Sequence, residues 1–302
     1  MKILYIDNVG QICNYYKDIR DYLKKFHTLN IVNSNIKEEI NKFNPDIVLV
    51  GFSITDTGEN APTINLNNIN KPLYIILNKE YAGLNNKLDW IKKIYPKPVK
   101  IFSVHHDVKK YQKYCQIPFC KIMWSANEEI FKKYDEVYNH DLFFSGVIRK
   151  EQTDNMRNKI YNKLNELSKY KLLVKAAFFE NNKLKGQLNT FSNLEYAKKI
   201  NESRIVLTTT GPADLVGTRY FEIMASNKAL ILCNRMSIEI YEDIVIDGFN
   251  CVMFNDENDF VIKCKYYLEN EKERIKIVRN AYKYFIEKQT WTHKLDHLLN
   301  NL

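Results

Sequence analysis

The stretch from Ser203 to Phe254 decides the fold. It opens S-R-I-V-L-T-T-T-G-P-A-D-L-V-G-T-R-Y-F-E-I-M-A-S-N-K-A-L-I-L over 203–232 and closes on D-G-F-N-C-V-M-F over 247–254. Arg204–Thr208 reads as a buried strand, Thr208–Gly217 as a polar loop, Arg219–Ser226 as a short helix and Ala229–Leu232 as a second buried strand. In open α/β sheets ligands bind at the carboxyl ends of strands, which places Thr210 and Gly211 at that edge. Gly211 and Gly217 let the backbone approach a ligand. Thr218 is read as the N-cap. Arg219 and Glu222, three apart, share one helix face; taken alone they would equally make a surface ion pair. Helix-terminal amides and an arginine suit phosphate oxygens, and a carboxylate accepts from ribose hydroxyls. The combination predicts a nucleotide-diphosphate site.

Working outward, short apolar runs alternate with longer amphipathic ones. Predicted strands are Lys2–Ile6, Leu29–Val32, Ile47–Phe52, Leu73–Leu77, Val99–Val104 and Ile117–Met123. Predicted helices are Gln11–Phe26, Ile36–Phe43, a segment near Leu84–Ile94, and one opened by the capping-box spacing Ser125–Glu128. A second series runs from Leu142–Val147, a strand entering a glycine turn, through the helix Thr153–Leu167 and the strand Lys171–Phe178. The helix Leu194–Glu202, capped by Ser192 and Glu195, precedes the strands of the opening stretch. Helices over Asp256–Leu268, Glu271–Lys288 and Trp291–Leu302 finish the chain. Strands alternating with helices predict parallel sheets covered on both faces. We expect an α/β protein of two domains, 1–140 and 141–287, with a C-terminal helix over 288–302 packing on the N-terminal domain.

The bulk properties narrow the class. Of the 302 residues 45% are hydrophobic, and the formal charge is +9. Apolar runs fall far short of the ~20 residues of a membrane span, and Met1–Asp7 reads as a first buried strand. The expected location is the cytoplasm. The cysteines at 13, 115, 120, 233, 251 and 264 form no C-x-x-C pair, so no disulfide and no structural zinc are expected. The lysines are spread along predicted helices, a surface suited to anionic ligands; peripheral contact with a membrane surface is compatible with it. A nucleic-acid-binding protein would cluster arginines and aromatic platforms, whereas most aromatics here occupy apolar periodic positions. A phospho-receiver is excluded: Gly51 and Phe52 stand where its acceptor aspartate would follow the Ile47–Val50 strand.

The motif R-Y-F-E-I-M-A-S-N resembles the "R-x-x-E-x-x-A-x-G" donor-site signature of GT-B glycosyltransferases of group 1 and their CgeB-like relatives. D-G-F-N-C-V-M-F resembles their "D-G-x-N-G-x-x-F/V" strand, and Thr290–Leu295 is similar to their terminal "H-T-W/Y" helix. The likeness covers about 142–302. It implies two Rossmann-like lobes facing across a cleft, the second gripping a nucleotide sugar, UDP-linked by preference, and the first taking a glycan or other glycoconjugate acceptor. No nucleic-acid partner, no cofactor and no metal are implied. Glu222 would bind the ribose, and Thr210, Gly211, Thr218 and Arg219 would line the diphosphate or sugar. Retaining members carry two acids with seven residues between them; the matching pair is Asp214 and Glu222, with Asp for the usual Glu, so retention and inversion both stay open. Asn227 replaces the family's usual glycine. Arg149, after Gly146, and Lys175, at a strand end, are further candidates for the diphosphate.

In the first half, Ser103-Val104-His105-His106-Asp107 follows a buried strand. A histidine oriented by an aspartate can take a proton from an acceptor hydroxyl near neutral pH; His106 with Asp107 is the preferred pair, with His105 as its alternative. The loops carrying Asp7, Asn8 and Gly10, and Asp56, share the acceptor edge. A catalytically inactive scaffold of the same fold is the alternative function.

Overall fold

Apolar runs too short for helices build two sheets, and the amphipathic runs between them cover both faces. The computed structural model describes all residues except 8–13, 79–81, 105–106, 150–151, 153–154, 181–182, 186–190, 212–213, 237–240 and 242. The chain divides into two compact units, Met1–Trp124 with Trp291–Leu302, and Ser125–Thr290.

In the first unit the elements run β1 (Lys2–Ile6), α1 (Asn14–Phe26), β2 (Thr28–Val32), α2 (Ile36–Phe43), β3 (Ile47–Val50), α3 (Phe52–Thr55), β4 (Leu73–Leu77), α4 (Leu84–Lys93), β5 (Lys100–Ser103), α5 (Val108–Cys115) and β6 (Phe119–Lys121). The sheet order is β2-β1-β3-β4-β5-β6, parallel throughout. Leu4, Val48, Ile75 and Ile101 are wholly buried in its core, as expected of strands covered on both faces.

The second unit contains β7 (His140–Arg149), α6 (Met156–Lys163) with a 3₁₀ turn over Leu164–Leu167, β8 (Leu172–Glu180), β9 (Lys183–Lys185), α7 (Asn193–Asn201), β10 (Ser203–Thr208), α8 (Thr218–Ser226), β11 (Leu230–Asn234), β12 (Val252–Phe254), α9 (Glu257–Glu269) and α10 (Glu271–Lys288). Its sheet order is β12-β11-β10-β7-β8-β9, with β9 alone antiparallel, on β8. The last helix, α11 (Trp291–Leu299), belongs to the first unit and packs on α1. Among the described residues no helix is long and apolar enough to cross a membrane.

The local signals of the sequence have visible counterparts. Ser192 and Glu195 form the reciprocal capping box of α7. Asn44 and Asn227 close α2 and α8 in left-handed conformations, at φ 46° and 49°, the backbone that asparagine adopts at helix C-caps in place of glycine. That resolves the missing glycine after the Arg–Glu helix: the cap survives with another residue.

Several expectations are corrected. The division falls at 124/125, not 140/141, because 125–139 is bonded to the second unit. There Asn201 Nδ2 donates to the Lys132 carbonyl at 3.0 Å, Tyr134 N to Asn201 Oδ1 at 2.8 Å and Asn139 N to the Glu202 carbonyl at 2.8 Å. Ser125–Glu128 opens no helix: Asn127 Oδ1 accepts from Glu129 N in a local turn, and Ser125 Oγ donates to the Gln289 carbonyl. Gly146 makes no turn; β7 continues through it to Arg149, paired with β8 from Ser145↔Lys175 to Arg149↔Phe179. Helix α5 and strand β9 had no counterpart in the predicted elements.

Candidate active site

In the second sheet the chain steps from β7 to β8 on one side and returns to β10 on the other. The connections leaving β7 and β10 therefore diverge, and such a switch point is where open α/β sheets bind ligands. Strand β10 pairs with β7 only up to Leu207↔Phe144. Beyond it, Ser145–Arg149 project with Lys175–Phe179 as a ribbon.

Helix α8 is buried at every position from Tyr220 to Ser226, which fixes its start firmly. Gly217, not Thr218, is its N-cap, with an extended backbone and no side-chain cap. The first amides of α8 thus lack the side-chain partner that usually satisfies them. A Cβ added at Gly217 would meet nothing within 4 Å. Gly211 N donates to the Leu215 carbonyl at 2.8 Å. Asp214 holds φ 58°, a left-handed conformation that a non-glycine residue adopts at some cost.

Around this mouth stand three guanidiniums. Arg219 donates to the Ser145 carbonyl and lies 5.8 Å from the Tyr196 ring centre. Arg149 ends β7 and stacks at 4.7 Å on Phe179; Asn158 Nδ2 donates to the Arg149 and Gln152 carbonyls. Arg157, on α6, donates from Nε and Nη2 to Thr209 Oγ1 at 2.9 and 2.7 Å and from Nη1 to the Val147 carbonyl at 3.2 Å. Burial, and next the charge of Arg219, push the Arg157 guanidinium down to about 10, with Arg149 adding to the effect. Among the described residues none of the three pairs with a carboxylate.

Arg157 and Thr209 were not among the sequence candidates. One signal was available: Arg157 follows the N-cap Asn155 by two residues, and a cation in the first helical turn opposes the helix dipole.

The remaining candidates are sorted by geometry. Glu222 is buried, at 3% exposure, one turn into α8. Lys175 lies mid-strand rather than at a strand end, because β8 runs on to Glu180; it sits in register with Ser145. Thr210 is held inward: its amide donates to Asn234 Oδ1 at 2.8 Å and its hydroxyl accepts from Asn234 Nδ2 at 3.1 Å. Its amide is therefore spent within the unit and is not a phosphate donor.

The D-G-F-N segment is a folding device. Asp247 Oδ1 accepts from Met253 N at 2.8 Å and Oδ2 pairs with Arg235 at 2.7 Å. Gly248 holds φ 74°, and Asn250 bridges Ile246 N and the Ile244 carbonyl. Trp291 of the terminal motif is a buried anchor at 1% exposure.

In the first unit Asp7 is 2% exposed and accepts from Arg20 and Ser53. Its carboxylate bridges the ends of β1 and β3. Asp56 Oδ2 accepts from Tyr16 OH at 2.5 Å, Tyr16 OH from Asn78 Nδ2 at 2.6 Å, and the Asn78 carbonyl from wholly buried Lys87 at 3.0 Å. Asp107 stands at the N-cap of α5, but its side chain makes no cap bond. His105, His106, Asn8 and Gly10 lie outside the described residues. The five described cysteines are free thiols. Among the described residues no group of three or more His, Cys, Asp or Glu could hold a metal ion.

Comparison with known proteins places this geometry. Residues 157–300 match the family described as glycosyl transferase-like. No curated protein matches the sequence. The chain is similar in structure to HepE from Anabaena, solved with UDP-glucose, at TM-score 0.59 and 10% identity over 100% of both chains. It is similar to an alpha-glucosyltransferase solved with UDP-glucose and DNA, at TM-score 0.70 and 11% identity over 99% of this chain and 98% of that one. A sucrose-phosphate synthase from Thermosynechococcus elongatus aligns at TM-score 0.63 and 8% identity over 100% and 99%. These likenesses establish the fold. Since one such neighbour was solved with DNA, the fold does not by itself exclude a nucleic-acid acceptor. The chain has the GT-B fold, and its segment from Arg157 to Asn300 is similar to the glycosyl transferase-like family.

Proposed function

We propose that the chain transfers a sugar from a nucleotide-diphosphate sugar, a UDP-sugar first, to a hydroxyl of a glycan or other glycoconjugate. One observation carries this reading: three arginines without a carboxylate partner among the described residues, beside the open face of Gly217 and the uncapped start of α8. A departing nucleoside diphosphate builds charge on its oxygens, and donors fixed in advance offset that charge without reorganising. Arg149, Arg219 and the α8 amides take the phosphates, with Lys175 behind them. Glu222 takes the ribose hydroxyls, and Asp214, Gly211, Gly217 and Thr218 line the sugar end.

In the first unit His106, with Asp107, takes the acceptor proton, and Asn8, Gly10 and Asp56 contribute to the acceptor edge. A glycan is preferred to a nucleic acid because the lysines are dispersed and most aromatic side chains are built into the cores. The arginines supply the positive charge a metal would supply, so the chemistry is metal-independent. The free thiols suit the cytoplasm.

A thermal-shift series with UDP-, GDP-, dTDP- and CMP-sugars tests the donor class, because a ligand that binds only the folded state raises Tm. UDP-sugars should give the largest rise; no rise with any of them removes the donor site. His106→Ala should lower turnover more than donor affinity, and unchanged turnover would take His106 out of the mechanism.

A further inference from the structure

A guanidinium at the heart of the switch point has, among the described residues, only neutral hydrogen-bond partners. Elsewhere in the chain Arg20 pairs with Asp7, Arg204 with Asp141, Arg235 with Asp247 and Arg274 with Glu271. Arg157 instead gives its hydrogen bonds to one hydroxyl and one carbonyl, and its charged neighbours are Arg219 and Arg149. Withdrawing a cation from water without an opposite charge is costly. The arrangement makes sense if an anion that visits the site completes it.

The bonds to Thr209 specify how. A hydroxyl has two lone pairs and one proton. Thr209 Oγ1 accepts from both Nε and Nη2 of one guanidinium, at 2.9 and 2.7 Å. Both lone pairs are thereby engaged, and the proton points away from Arg157. Thr209 is only half-buried, and no acceptor among the described residues takes that proton. Arg157 also fixes β7 against the loop after β10, through the Val147 carbonyl at 3.2 Å. The two strand ends that frame the switch point are joined by this one side chain.

We propose that Arg157 is the positioning residue of the donor site: it holds the Thr209 hydroxyl as a hydrogen-bond donor to the diphosphate of the sugar nucleotide, and that diphosphate completes its charge. This rests on the donor-site reading above and adds to it a preference for nucleoside diphosphates over monophosphates.

The test is calorimetric binding of UDP and UMP to the full chain and to Arg157→Gln, Thr209→Val, Thr209→Ser and the Arg157→Gln/Thr209→Val double variant. Circular dichroism and Tm confirm folding of each. Arg157→Gln and Thr209→Val should each weaken UDP at least tenfold, while UMP changes less than threefold. The double variant should lose little more than the worse single, since both remove one relay. Thr209→Ser should stay within threefold of wild type. Three outcomes overturn the proposal while leaving the donor site standing: wild-type UDP affinity in either single variant, losses that multiply in the double variant, or equal losses for UDP and UMP. Wild-type protein that binds neither nucleotide removes the donor reading itself, and the proposal with it.

Discussion

The two units use the same architecture and treat charge at their switch points in opposite ways. In the first, the ends of β1 and β3 are bridged by the Asp7 carboxylate, which Arg20 and Ser53 satisfy; Tyr16, Asp56, Asn78 and Lys87 continue the internal bonding. In the second, the ends of β7 and β10 are bridged by the Arg157 guanidinium, and no carboxylate among the described residues answers it. A satisfied bridge serves the fold. An unanswered cation fits the ligand role we propose, because an incoming anion would offset the cost of withdrawing it from water. The same strand–helix pattern therefore yields one edge closed on itself and one edge where we propose that phosphate binds.

Substitutions can break or sharpen that contrast. The largest effect belongs to the closed edge. Asp7→Ala leaves Arg20 half-buried and unpaired and should cost about 3 kcal/mol of stability by urea denaturation, at the low end for a broken buried pair; a loss below about 1 kcal/mol would mean that the bridge is not structural. Donor affinity of the folded protein should be unchanged. At the open edge the pattern reverses. Arg219→Ala should weaken UDP binding by roughly 1.5–3 kcal/mol, the usual size of a hydrogen bond to a charged group, with a smaller change in Tm. Calorimetric affinity equal to wild type would detach Arg219 from the diphosphate.

Glu222→Ala should follow, at about tenfold, or ~1.4 kcal/mol, in nucleotide-sugar affinity. Because Glu222 is buried, Glu222→Gln serves as its control for packing, and a loss that appears as unfolding in both would make the residue structural. Smallest is the cap of α8: Asn227→Ala should cost about 1 kcal/mol, since alanine resists the left-handed backbone, while Asn227→Gly should be near neutral. Equal stability of all three would leave the cap without energetic weight.

Much of the fold was legible in residues. The apolar runs that became β3, β4, β10 and β12 are short, uninterrupted and flanked by polar turns, so their type was readable and their limits nearly so. Boundaries failed where a tertiary partner extended or shortened an element. Strand β7 ran past Gly146 because β8 lies beside it along its whole length. The helix expected at Ser125–Glu128 gave way to a turn, and Ser125 bonds Gln289 far along the chain. Of the three motifs behind the resemblance, two proved to build turns and anchors through Asp247, Asn250 and Trp291. Arg219 and Glu222 alone stand at the mouth where chemistry is proposed.

The sequence by itself determined the α/β class, the repeated strand–helix order, the cap at Ser192, and the place of the Arg–Glu helix after a buried strand. These are local matters, set by periodicity, turn chemistry and backbone preference over a few residues. Tertiary structure decided which charges are answered. Arg20 and Arg157 look alike along the chain, as cations on amphipathic helices; strand order brought Asp7 to the first and, among the described residues, Thr209 and Val147 to the second. Electrostatic pairing depends on distance in space, and the distance between sheet edges is fixed by topology rather than by neighbours in sequence.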